Sequence, residues 1–307
     1  MNRKNYIINQ DVKEKEKLIK IILIIIAFFI LYCMIETARE LRDFRLTKYW
    51  ICSPKLNGIR GTKKIVFLSD LHNRIYGKEN ERLLESIKNQ HPDLILIGGD
   101  MLVRKDGNSY DGTVRFLEKL PAICPVYCAN GNHEQKLKEL PDKYEQSYEG
   151  YKKTLTAGGI HMLENASETV RLDEAPVRIS GLEIPLGAYA RLGKKDLPLK
   201  EITDRIGEHG DDYQILLAHH PGYMKEYLAY GADLILGGHY HGCVVQLPGI
   251  GGVISPNFTL FPKYSGGIYQ EGEQTAVVSR GLGTHSVPLR LWNWPELIVL
   301  ELSGNER

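Results

Sequence analysis

The chain lacks a surplus of either charge: Lys and Arg number 39 against 38 Asp and Glu in 307 residues. A dedicated nucleic-acid binder usually carries a basic excess, so no nucleic-acid partner is expected. Only five Cys are present (Cys33, Cys52, Cys124, Cys128 and Cys243), and no two form a C-x-x-C pair. That spacing excludes a zinc ribbon and a disulfide scaffold, and leaves these residues as small apolar side chains. The motif H-E-x-x-H is missing, which removes the helix-borne zinc peptidase. There is no internal repeat, no low-complexity segment and no convincing Ser or Cys nucleophile constellation. Gly281-x-Gly283 resembles a piece of a nucleotide loop, but it lacks the third Gly and follows no clear βα signal. Trp is scarce and Tyr common, which decides nothing. An apolar fraction of 43% excludes a disordered chain.

One long apolar run is present. Residues 21–35 (IILIIIAFFILYCMI) are continuously apolar apart from the Tyr32 hydroxyl, and Leu18 and Ile19 extend the run across Lys20. As a helix, residues 18–35 measure about 27 Å, close to the roughly 30 Å hydrocarbon core of a bilayer. Lys20 lies near the end, where it can snorkel to the headgroups. The run is long for the apolar core of a signal peptide and no small-x-small cleavage site follows it, so it reads as a single membrane anchor. Six basic residues precede it (Arg3, Lys4, Lys13, Lys15, Lys17, Lys20) and four follow (Arg39, Arg42, Arg45, Lys48). That bias predicts a cytoplasmic N-terminus and a domain on the outer side.

The remaining length suffices for one sizeable domain. The expected organisation is a basic segment at 1–17, an anchor at 18–35, a juxtamembrane connector with room for a short strand at 36–62, and one domain at 63–303. Within it, short apolar runs recur at 64–68, 93–97, 126–129, 213–218 and 233–236. Such runs mark strands buried on both faces. Stretches at 79–90 and 112–120 carry apolar residues at helical spacing, so strand–helix alternation predicts an α/β layered fold. Residues 159–183 read as shorter strands and turns, and 296–300 as a closing strand.

Polar residues follow each buried run: Asp70 and His72, then Asp100, then Asn132 and His133, then His219, then His239 and His241. Ligands of α/β sheets bind outside the carboxyl ends of the strands, so five segments can converge on one site. Alone, Asp70-x-His72 could be a turn, Gly98-Gly99-Asp100 a loop, and Gly131-Asn132-His133-Glu134 a turn with a helix cap. Gly238-His239-Tyr240-His241 is harder to dismiss, because alternating His can aim both rings at one point. Together they offer carboxylates, imidazoles and an amide without a thiolate, a set suited to Mn²⁺, Fe or Zn²⁺.

The order D-x-H, G-D, G-N-H-E, H, G-H-x-H, running from Lys63 to Leu302, resembles the calcineurin-like metallophosphoesterase superfamily. The anchor, Ser279-Arg280-Gly281-Leu282-Gly283, Pro288-Leu289-Arg290 and Pro295-Glu296-Leu297 resemble its bacterial YkuE-like branch, which includes a UDP-diacylglucosamine pyrophosphatase type. The resemblance implies a sandwich of two mixed β-sheets flanked by helices. It implies two divalent metal ions, one held by Asp70, His72, Asp100 and His241, the other by the shared Asp100 with Asn132, His219 and His239. His220 is a rival to His219. A metal-bridging hydroxide would attack phosphorus, with His133 directed at the leaving group or a phosphate oxygen. Glu134 or Asp106 could orient a site imidazole. Arg74, Arg280 and His285 stand as candidate contacts to a substrate phosphate.

The expected function is therefore metal-dependent hydrolysis of a phosphoester or pyrophosphate, on a substrate of the membrane or cell envelope. The alternative is an inactive, membrane-tethered metal-binding module. An inactive relative normally loses ligands, whereas all seven positions are filled here. The sequence does not choose between monoester, diester and pyrophosphate, nor does it set the oligomeric state.

Overall fold

The computed structural model describes residues 3–103, 109–144, 147–190, 195–256, 258–284 and 288–304. In chain order its main elements are α1 (Arg3–Glu40), β1 (Arg45–Cys52), β2 (Lys63–Leu68), α2 (Glu81–Lys88), β3 (Leu94–Ile97), α3 (Asp111–Leu117) and β4 (Val126–Ala129). Next come α4 (Asn132–Glu139), α5 (Tyr148–Ala157), β5 (Ile160–Leu163), β6 (Ala166–Leu172), β7 (Ala175–Leu182), α6 (Leu199–Ile206), β8 (Tyr213–Ala218), α7 (Met224–Tyr230) and β9 (Leu234–Gly237). The chain closes with β10 (Gln246–Leu247), β11 (Gly251–Gly252), β12 (Gly267–Glu271), β13 (Gln274–Val278) and β14 (Glu296–Ser303).

Two six-stranded mixed sheets form, in the orders β1-β14-β2-β3-β4-β5 and β12-β13-β9-β8-β7-β6. Strand alternation explains how they stack. Ile65 and Phe67 of β2 join Leu94 and Leu96 of β3 in the core between the sheets, facing Ile215, Leu217, Leu234 and Leu236. Val66, Leu68, Ile95 and Ile97 point the other way, onto Leu83, Ile87, Phe116 and Leu155 of the helices α2, α3 and α5. On the second sheet Leu216 and Ile235 meet Ile202 of α6 and Tyr227 of α7. The central strands of both sheets are thus buried on both faces, as the continuous apolar runs require.

The carboxyl ends of β2, β3 and β4 lie beside those of β8 and β9, so loops from both sheets meet at one end of the sandwich. The stretch 36–62 contributes more than a linker. Its β1 pairs with β14 in parallel register, from Arg45 opposite Glu296 to Cys52 opposite Ser303. The short strand expected in this stretch is thus β1, an edge strand in which only Ile51 is buried. The segment Lys13–Glu40 of α1 is long and apolar enough to cross a membrane by length and composition, and none of its apolar window is buried against the domain.

Candidate metal centre

Backbone geometry around the site is costly. Asp70, His72, Asp100, His239 and His241 all have φ between 49° and 62°, in the left-handed region. Such conformations cost on the order of 1–3 kcal/mol for a non-glycine residue and persist where the surroundings enforce them, typically at functional sites. Here the loops lace each other. The Asp70 N–H donates to the Gly99 carbonyl at 2.9 Å, and the His72 N–H to the Asp100 carbonyl at 3.1 Å. Gly131 must be glycine, because a Cβ there would run into the Asp100 carboxylate. Glu134, almost fully buried, accepts N–H bonds from Asp100 (2.8 Å), Met101 (2.8 Å), Leu102 (3.2 Å) and Gly131 (3.0 Å).

The side chains then converge. Nε2 of His241 lies 3.1 Å from Oδ1 of Asp70 and 2.9 Å from Nε2 of His72. Nε2 of His219 lies 3.1 Å from Oδ2 of Asp100, while Nε2 of His72 is 3.8 Å from the same oxygen. Three sets offer donor atoms within 4.8 Å of one another: Asp70, His72 and His241; His72, Asp100 and His133; and Asp100, His219 and His239. Neighbouring donors around a cation with bonds of about 2.1 Å stand about 3 Å apart, so these spacings suit divalent ions.

Hydrogen bonding fixes which nitrogen faces inward. Nδ1 of His219 donates to the Gly98 carbonyl at 2.7 Å and Nδ1 of His241 to the Gly283 carbonyl at 3.2 Å, which leaves each Nε2 lone pair directed at the cluster. Among the described residues no hydrogen-bond partner meets the buried Nε2 of His219, Nε2 of His239 or Oδ1 of Asn132. Orphaned buried acceptors are uncommon, and a cation satisfies all three.

Electrostatics agree. Burial pushes the Asp70 carboxyl up, but His241 and His219 outweigh it and hold the group well below its ordinary range. Asp100 behaves alike, held down by His219 and His133 against the effect of burial. Burial pulls His219 down, yet Asp100 and Asp70 push it up to about 10. His239 is depressed well below the usual imidazole range by burial and by His220 and His219. His241 is depressed by burial despite Asp70. The site thus sets a cationic His219 and the neutral rings of His239 and His241 against buried anions, and a divalent cation would displace the proton of His219.

Of the residues expected from sequence, Asp70, His72, Asp100, His133, His219, His239 and His241 fall in these sets, and Asn132 sits buried at the start of α4. His219, not His220, belongs to them. His220 instead packs its ring 4.6 Å from that of His239 and accepts the Gly222 N–H on Nδ1 at 3.0 Å. Two of the candidate phosphate contacts are engaged elsewhere. Arg74 donates to the Leu41 carbonyl at the end of α1, and Arg280 pairs with Glu296 at 2.8 Å and bonds Gln246 at 3.1 Å. His285 and Asp106 lie outside the described residues. Glu134 holds backbone amides rather than an imidazole; its position three residues after Gly131, the reach-back of a helix cap, was the signal for that. Sequence reasoning gave Arg290 no role at the site. Its buried guanidinium donates to the carbonyls of Arg280 (2.7 Å) and Gly283 (2.6 Å), and so steadies the loop that orients His241.

Comparison with known proteins follows the same direction. Residues 63–243 match the family model for calcineurin-like phosphoesterases. The chain is similar to the metallophosphoesterase YkuE of Bacillus subtilis, 31% identical over 247 residues that cover 78% of this chain and 79% of that one. It is 27% identical over 242 residues to the phosphodiesterase YaeI of Escherichia coli, covering 78% and 82%. Among solved structures, the phosphopantetheinyl hydrolase PptH of Mycobacterium tuberculosis superposes with a TM-score of 0.43 at 13% identity, covering 73% of this chain and 90% of that one. The chain belongs to the calcineurin-like phosphoesterase family, on its YkuE-like branch, and is a metal-dependent phosphoesterase.

Proposed function

We propose that this chain is a membrane-anchored hydrolase with two divalent cations at the sheet ends, acting on a phosphoester or pyrophosphate of a membrane lipid or envelope polymer. One observation carries the two-cation reading. Oδ2 of Asp100 is 3.1 Å from the His219 imidazole and 3.8 Å from that of His72, so one carboxylate serves two neighbouring donor sets. The first ion is assigned to Asp70, His72, Asp100 and His241, the second to Asp100, Asn132, His219 and His239. Mixed nitrogen and oxygen donors favour Mn²⁺, Fe or Zn²⁺.

When bound, such a pair supplies Lewis acidity that brings the pKa of water towards neutrality and offsets charge on phosphoryl oxygens. The protein does the rest. Gly98 and Gly283 carbonyls hold the imidazoles in register. The His133 N–H donates to Oδ1 of Asp100 at 2.8 Å, which fixes the start of α4. The His133 ring sits edge-on to His72 with centroids 5.0 Å apart, where it can hold or deliver a proton at a leaving oxygen.

Anchoring by residues 18–35, with the connector 36–62 and the domain 63–303 beyond, is favoured by the way α1 ends. Thr37 donates to the Arg290 carbonyl at 2.8 Å, and the Asn293 N–H donates to the buried Glu40 carboxylate at 3.0 Å. A helix so joined to its domain has a folded role, which a cleaved signal would not need. The excess of basic residues before the run supports the outer side for the domain.

With Mn²⁺ added, the purified protein is expected to hydrolyse an aryl phosphodiester and to stop when chelator is present; inertness towards monoester, diester and pyrophosphate probes alike would favour the inactive module. His133→Ala is expected to lower turnover by about 10²-fold, the usual scale for a lost general acid, with metal content intact. Loss of metal in that variant, measured by elemental analysis, would instead make His133 a ligand.

A further inference from the structure

Residues 242–262 contain no Asp, Glu, Lys or Arg, in a chain that is 25% charged. They leave the Gly238-His239-Tyr240-His241 motif directly and end in an apolar display. Ile250 is 66% exposed, Phe258 59%, Leu260 65% and Phe261 54%, and Leu289, two residues before the Leu291 that bridges Val245, is 41% exposed. Apolar groups this concentrated on a surface mark an interaction site. Phe258 and Phe261 also carry φ of 61° and 47°, a conformation that bulky residues rarely adopt.

The position of this display relative to α1 follows from hydrogen bonds. The indole N–H of Trp292 donates to the Tyr32 hydroxyl at 3.1 Å, inside the apolar run of α1 and near its end. Next to Trp292, Leu291 bridges Val245, and the Gln246 N–H donates to the Leu291 carbonyl at 3.0 Å. The Val253 N–H reaches the Val245 carbonyl at 3.0 Å, and the Phe261 N–H reaches the Val253 carbonyl at 2.9 Å. Leu291, Val245, Val253 and Phe261 are thus four successive rungs, so Phe261 stands about 15 Å to the side of the segment that touches Tyr32. Tyr and Trp paired in this way are typical of the bilayer interface.

We propose that the 242–262 segment is a second membrane-binding surface, which lies in the interface of the same bilayer that α1 crosses and turns the Asp70 to His241 cleft towards the lipid headgroups. This rests on the reading of α1 as a span. The occupant is lipid rather than a protein partner on two grounds. A continuous ladder joins the surface to the segment whose Trp292 bonds Tyr32 of α1, and the surface lacks the charges with which a soluble partner's rim would pair. It also defines the substrate class further: a phosphoryl group at headgroup depth is reached without leaving the membrane.

The test uses the full chain in vesicles of phosphatidylcholine and phosphatidylglycerol, in a Cys33→Ser, Cys52→Ser, Cys124→Ser background. A bimane label is placed at Leu260→Cys and, as control, at the exposed Thr156→Cys. Thr156 belongs to α5, beside β5 at the edge of the first sheet opposite β1. Nitroxide-bearing lipid is expected to quench the label at 260 and to leave that at 156 bright. A chain that resists carbonate extraction, yet shows no lipid quenching at 260, overturns the second surface and spares the anchor. Disulfide formation between unlabelled Leu260→Cys thiols of two copies under an added thiol oxidant, in place of lipid quenching of the labelled protein, also overturns it. Release by carbonate overturns the anchor and this surface together.

Discussion

Asp100→Asn should lower Mn²⁺-supported hydrolysis of an aryl phosphodiester by at least about 10³-fold, beyond the 10²–10³ typical of losing one stabilising group, because a single carboxylate serves two donor sets. The change keeps shape and volume. An Asn oxygen can still accept the His133 N–H where Oδ1 now does at 2.8 Å, so the loop should stay in place. What disappears is the charge that faces His219 at 3.1 Å and His72 at 3.8 Å, and an amide NH₂ can take the place of the second oxygen. The variant should therefore fold and bind cations poorly in both sets. Elemental analysis alongside turnover separates this from simple unfolding. Full activity in a folded, metal-loaded Asp100→Asn protein would sink the assignment.

Glu134→Ala should cost about 3–5 kcal/mol of domain stability, because up to four buried N–H donors lose a charged acceptor and each unsatisfied donor costs roughly 1–3 kcal/mol before water relieves it. For a domain of this size that corresponds to a melting temperature lower by roughly 10 °C. The donors belong to Asp100, Met101, Leu102 and Gly131, so the damage falls on two strand-end loops at once. Burial and the neighbouring Asp100 push the Glu134 pKa up to about 7, while the N–H bonds pull it back. Glu134→Gln keeps the carbonyl oxygen but turns an NH₂ towards donors, and should fall between the two. Thermal unfolding of the detergent-solubilised chain reads all three; an unchanged midpoint for Glu134→Ala would show that these loops stand without it.

Much of this was legible in the sequence for a plain reason. Strands buried on both faces write themselves as unbroken apolar runs, and a metal site at their ends writes itself as Asp, Asn and His just beyond each run. The runs at 64–68, 213–218 and 233–236 correspond to β2, β8 and β9, and the residues after them meet across the sandwich. What stayed hidden has no local pattern. A short strand is expected in the connector, but nothing in RLTKYWIC shows that it pairs with β14 at the far end of the chain. Arg74 and Arg280 looked available for phosphate because sequence cannot show that Leu41 and Glu296 occupy them. The link from α1 to the site is longer still. Glu40 accepts from the Asn293 backbone, and the Asn293 amide donates to the His241 carbonyl at 2.7 Å, over separations of 253 and 52 residues.

The most direct measurement is anomalous diffraction at the manganese edge from crystals of the Mn²⁺-loaded chain. Two peaks about 3.5–4 Å apart are expected, both within bonding distance of the Asp100 carboxylate. A single peak, or a pair held without Asp100, would contradict a two-cation site built around that residue.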